Sequence, residues 1–111
     1  MFDKASVTEA ISQAAARTVM NLGIKTIVAA TSSGHTARII SKYRPKANIL
    51  AATYSERVQR GLTLVWGVQA FVIAEPENVD DMLNNVTALA KEKGFAQPGD
   101  AIVITAGTPI R

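Results

Sequence analysis

The chain predicts an α/β fold, a three-layer α/β/α sandwich on a mainly parallel sheet of about four strands. Three observations lead there. Short apolar runs alternate along the chain with amphipathic stretches, the runs are continuous instead of alternating in and out, and Pro45, Pro76, Pro98 and Pro109 all fall between them. Continuous runs suit strands covered on both faces, which is the situation in a parallel sheet between helical layers. Strands alternating with helices form βαβ units, whose crossovers are right-handed in nearly all proteins.

Taken in order, Ser6-Val-Thr-Glu9 has the S-x-x-E spacing of a capping box and predicts a helix starting there. Val7, Ile11, Ala14, Ala15, Val19 and Leu22 then recur at helical spacing as its packed face, and Gly23 ends it. Strands are predicted at Thr26–Ala30, Asn48–Thr53, Val68–Ile73 and Ala101–Thr105, with helices at Ala37–Tyr43, Ser55–Leu62 and Asn78–Lys93 in the gaps. In the last helix Asn78 is the cap, Asp80 and Asp81 complement the positive end of the dipole, and Gly94 closes it. Its buried stripe is Val79, Met82, Leu83, Val86, Leu89 and Ala90. Trp66, beside Leu64, Val65 and Val68, reads as a packing residue whose loss weakens the fold.

A length of 111 residues fits one domain, 1–111, with no repeat, low-complexity tract or linker. The chain is 48% hydrophobic and 19% charged, a globular balance, and a net charge of +3 is too small a surplus to indicate a nucleic-acid surface. The absence of cysteine excludes disulfides and thiolate metal sites and is compatible with a reducing cytoplasm, the expected location. Met1-Phe-Asp-Lys4 has no signal core, and no apolar run approaches the roughly 18 residues that would suggest a membrane span.

In a parallel sheet ligands bind beyond the carboxyl ends of the strands. Those ends carry Thr31–Thr36, Thr53–Glu56, Glu75–Asn78 and Thr105–Arg111. The first is the richest in donors. Thr31, Ser32, Ser33 and Thr36 offer hydroxyls, Gly34 permits close backbone approach, and the following helix aims its N–H groups and dipole at the same point. The segment also reads as a plain helix start with Ser33 as N-cap and Gly34 as a turn residue, and it matches neither G-x-G-x-x-G nor G-x-x-x-x-G-K-[ST]. His35 near Ser33 has no third group placed to orient it, so nucleophilic catalysis is not expected, and Asp80 with Asp81 lacks further ligands for a metal. Thr108 and Arg111 follow the fourth strand, as a frayed end or facing the loop across a crevice. Lys42, Arg44, Lys46, Arg57 and Arg60 read as solvated charge.

The ordered series Ala10–Leu22, Thr26–Arg38, Lys42–Ala47, Ile49–Thr53, Leu64–Val68 and Gly99–Gly107 closely resembles the carboxy-terminal domain of pyruvate kinases, from about Ala5 to the end. The resemblance implies a regulatory, tetramer-forming domain. In that family phosphoenolpyruvate and ADP become pyruvate and ATP in a separate (β/α)8 barrel that binds Mg2+ and K+. Neither the barrel nor a catalytic residue is recognised in this chain, so no activity, cofactor or metal site is expected of it alone. The family's equivalent loop binds a phosphate of the allosteric effector, which is fructose 1,6-bisphosphate, a sugar monophosphate or AMP. Thr31, Ser32, Ser33, Gly34, His35 and Thr36 inherit that role by resemblance. The implied partners are that effector, the rest of pyruvate kinase and further copies of the domain.

Two departures qualify the likeness. Position 35 is often Lys or Arg in the family, and a neutral His lacks the fixed charge that strengthens hydrogen bonds to phosphate. The sequence also stops at Arg111, short of the family's loop over a second phosphate and its final antiparallel strand. It therefore reads as a fragment whose fourth strand is a bare edge, ahead of a stand-alone phosphate-binding protein or a structural association module.

Overall fold

A computed structural model describes residues 4–106, with side chains from residue 9 onward. The elements are α1 (Lys4–Leu22), β1 (Thr26–Ala30), α2 (His35–Lys42), β2 (Asn48–Thr53), α3 (Glu56–Leu62), β3 (Val68–Val72), α4 (Val79–Glu92) and β4 (Val103–Ala106). The four strands form one all-parallel sheet in the order β3-β2-β1-β4. The path steps outward from β1 through β2 to β3, then returns across the sheet to β4. Crossovers of one hand place helices on opposite faces when the direction of travel reverses, so α2 and α3 share a face with α1 while α4 covers the other.

That layering explains why the strand runs are continuous. Ile27, Ala29, Ile49 and Ala51 pack beneath Val19, Ala37, Ile40 and Leu62. Their neighbours Val28, Ala30, Leu50 and Ala52 pack beneath Met82, Val86 and Ala90. Every residue of β1 is buried on one side or the other. Ile27, Ile40, Ile49, Leu50 and Leu62 are 0% exposed, and each contributes roughly 1.5–3 kcal/mol of burial.

Several expectations are corrected. The first helix runs from Lys4, so Ser6 lies inside it and is not its cap; Lys4 and Ala5 are good helix formers and carry the helix past the predicted start. The face that α1 buries is Ser12, Ala15, Ala16 and Val19, while Ile11 and Leu22 are exposed. Small side chains at those positions let α1 lie close against α2 and the sheet, and the longer apolar ones turn outward. In α4, Met82, Val86 and Ala90 are buried, but Val79 and Leu83 flank the contact and are exposed. The fourth strand begins at Val103, two residues later than predicted. Before it, the Gln97 N–H donates to Asp100 Oδ2 at 2.9 Å and the Asp100 N–H to the Gln97 carbonyl at 3.0 Å, a closed turn that delays the ladder. Among the described residues β4 pairs only with β1.

Trp66 is not core: it is 49% exposed. Its carbonyl accepts from Ser41 Oγ at 2.6 Å, and the Arg44 guanidinium lies 4.4 Å from its ring centre. The turns after α3 point Val65 into the first core and leave Leu64 and Trp66 outside. Arg44 is thus stacked and not merely solvated.

Candidate functional site

The loop between β1 and α2 is built by its own hydroxyls. The Thr31 N–H donates to the Ala52 carbonyl at 2.9 Å, which carries the β1–β2 ladder one residue past the strand. Thr31 Oγ1 then accepts from the Gly34 N–H at 2.9 Å and folds the chain back. Ser33 Oγ accepts from the His35 N–H at 3.3 Å, and the Arg38 N–H reaches the Gly34 carbonyl at 3.1 Å to begin α2. The N-cap is therefore Gly34, at φ 85°, in place of the Ser33 cap of the plain reading.

Gly34 is required twice over. Its φ lies in the left-handed region, and a Cβ there would sit 3.2 Å from both Leu62 Cδ2 and Val58 Cγ1. The loop consequently rests on α3, which is itself started by Ser55, whose Oγ accepts from the Val58 N–H at 3.2 Å. Val58 and Leu62 are the supporting residues that the loop sequence does not reveal. Their only signal is an i, i+4 apolar pair on a helix elsewhere in the chain.

The six predicted residues come together as one loop but differ in access. Ser33 and His35 are exposed and Ser32 is half-buried, whereas Gly34, Thr31 (5% exposed) and Thr36 (2% exposed) are buried. Helix geometry leaves the N–H groups of Thr36 and Ala37 without an intrahelical acceptor. The first turn of α2 contains no acid, whereas α3 has Glu56 and α4 has Asp80 and Asp81 there. Two exposed or half-exposed hydroxyls, the imidazole and the free end of a helix dipole can hold an anion through neutral dipoles. Beside the loop, Ser32, Tyr54, Ile73 and Pro76 line a depression of about 20 Å³, room for about one water.

Thr108 and Arg111 lie outside the described residues. Among the described residues no three His, Cys, Asp or Glu side chains gather to hold a metal, and no helix is long and apolar enough to cross a membrane.

Fold and loop together define a three-layer α/β domain whose polar loop occupies the end of the sheet where parallel folds present ligands. The profile of the family described as "Pyruvate kinase, alpha/beta domain" matches residues 9–111, and the chain belongs to that family. It is 51% identical over 104 residues to a pyruvate kinase of Lactobacillus delbrueckii subsp. bulgaricus, covering 94% of this chain and 18% of the relative. A pyruvate kinase of Staphylococcus aureus (strain USA300) is 50% identical over 104 residues, with the same coverage of 94% and 18%. The chain thus spans about a fifth of the length of these relatives. Among solved structures, a Cryptosporidium parvum pyruvate kinase superposes with a TM-score of 0.84 at 35% identity, over 92% of this chain and 21% of that one. A C. parvum pyruvate kinase in complex with ADP gives 0.84 at 36% identity, over 90% and 20%.

Proposed function

We propose that this chain is the regulatory and self-association domain of a cytoplasmic pyruvate kinase, and that its Thr31–Thr36 loop receives a phosphate of an allosteric effector. The effector is fructose 1,6-bisphosphate, a sugar monophosphate or AMP. Conversion of phosphoenolpyruvate and ADP to pyruvate and ATP, with its Mg2+ and K+, belongs to the catalytic barrel of such an enzyme and not to these residues. The observation that carries the reading is the start of α2: N–H groups at Thr36 and Ala37 that have no intrahelical acceptor, an acid-free first turn and an exposed Ser33, all at the carboxyl end of β1. For regulation, the effector must favour one quaternary arrangement over another by about 1–3 kcal/mol, the usual size of such coupling.

One observation favours the plainer alternative of an association module. Both Thr31 Oγ1 and Ser33 Oγ already accept backbone hydrogen bonds, as a loop that only starts a helix requires. Titration calorimetry separates the two. Fructose 1,6-bisphosphate, ribose 5-phosphate, AMP and inorganic phosphate are titrated into the folded chain and into Ser33→Asp, which places like charge in the loop. Heat with the parent chain that vanishes in Ser33→Asp supports the effector site. No heat with any of these anions removes it. At a hundred times Kd, binding adds about 2.7 kcal/mol to stability, so melting curves give an independent reading.

A further inference from the structure

On the β3 side of the sheet no further strand of the described residues is paired, and two side chains cover that edge from opposite faces. The register pairs Ile49 with Val68, Ala51 with Ala70 and Thr53 with Val72. The Ile73 N–H donates to the Thr53 carbonyl and the Ile49 N–H to the Gly67 carbonyl, so the backbone groups of Gly67, Gln69, Phe71 and Ile73 face β2. Those of Val68, Ala70 and Val72 therefore face away from the sheet, where no strand of the described residues pairs with them. The strand, Val-Gln-Ala-Phe-Val, carries no charge and no proline, the usual protections of an edge.

Its protection comes from the helices. Gln59, on α3, donates from Nε2 to the outward carbonyl of Ala70 at 3.2 Å. On the other face Lys93, at the end of α4, sets its ammonium 5.1 Å from the centre of the Phe71 ring. The Val68 N–H is held by the Val65 carbonyl at 3.2 Å. Among the described residues the Ala70 N–H, the Val72 N–H and the Val68 carbonyl have no backbone partner.

We infer that Gln59, supported by Lys93, is a latch that keeps the β3 edge from pairing with the β3 edge of a second copy. These backbone groups are self-complementary about a two-fold axis through Ala70. In an antiparallel pair each Ala70 exchanges N–H and carbonyl with its mate, and each Val72 N–H meets a Val68 carbonyl. The central exchange requires the Ala70 carbonyl that Gln59 occupies. Val72, 46% exposed, comes opposite Val68 of the second copy, so the pairing also covers apolar surface.

Amide hydrogen exchange and sedimentation velocity at low and high protein concentration test this, with circular dichroism confirming that each variant is folded. In the parent chain, exchange at Ala70 and Val72 is independent of concentration. Gln59→Ala removes the donor and Gln59→Asn leaves it a methylene short; both gain concentration-dependent protection at Ala70 and Val72, with a species of twice the parent's mass by sedimentation. Gln59→Glu also loses the donor but places a charge at the edge, and it behaves like the parent. The inference is overturned if Gln59→Ala and Gln59→Asn show no protection at high concentration, or if Gln59→Glu gains as much as they do.

Discussion

Replacing Gly34 by alanine tests the architecture of the loop most directly. At φ 85° any L-residue pays the left-handed penalty of about 1–2 kcal/mol. The new Cβ would also lie 3.2 Å from Leu62 Cδ2 and Val58 Cγ1, and Leu62 is 0% exposed and has no open side to move into. Forced overpacking of this kind costs about 1–3 kcal/mol, bringing the total to about 2–5 kcal/mol. The unfolding entropy of 111 residues is about 0.23 kcal/mol per degree, so the midpoint falls by about 9–21 °C. Gly94→Ala is the internal control, since its φ is 81° but nothing lies within 4 Å of its Cβ. It should lose only the backbone part, about 4–9 °C. Thermal unfolding followed by circular dichroism measures both. Equal losses at the two glycines would refute the claim that the loop is seated on α3, and so would an unchanged cost of Gly34→Ala in a Val58→Ala background.

Other perturbations probe separate parts of the molecule. Asn78 Oδ1 accepts from the Asp81 N–H at 2.8 Å, so Asn78→Ala should destabilise by about 1 kcal/mol in urea titrations, without changing anion binding. Among the described residues Thr105 Oγ1 is buried without a partner, and Thr105→Val keeps the shape while removing the hydroxyl, so it should raise stability by about 1 kcal/mol in the same assay. His35 is exposed at the loop, so His35→Lys adds a fixed cation and should tighten phosphate binding about fivefold by calorimetry, equivalent to about 1 kcal/mol.

The bounds of β1 and β2 coincide with the apolar runs because those strands are central and both faces demand apolar side chains. At the periphery one face is relaxed and the pattern blurs. β3 mixes buried, half-buried and exposed positions, and α1 buries small residues while Ile11 and Leu22 turn out. Hydropathy ranks large residues first, whereas close helix packing selects small ones. The loop was legible as a place: Thr31–Thr36 does stand at the carboxyl end of β1 and starts α2. The division of labour within it was not. That Thr31 spends its hydroxyl on Gly34, and that Gly34 is the cap, depends on Val58 and Leu62 arriving from more than twenty residues away.

The single tryptophan has an optical consequence. Trp66 precedes β3 and so stands at the amino end of the sheet, while the Thr31–Thr36 loop stands at the opposite end, a strand's length of about 17 Å away. All indole emission therefore originates on the far side from the loop, in a fluorophore with Arg44 stacked on one face. A spectral change on adding a ligand at the loop would be a signal relayed through the sheet, with direct contact excluded by geometry.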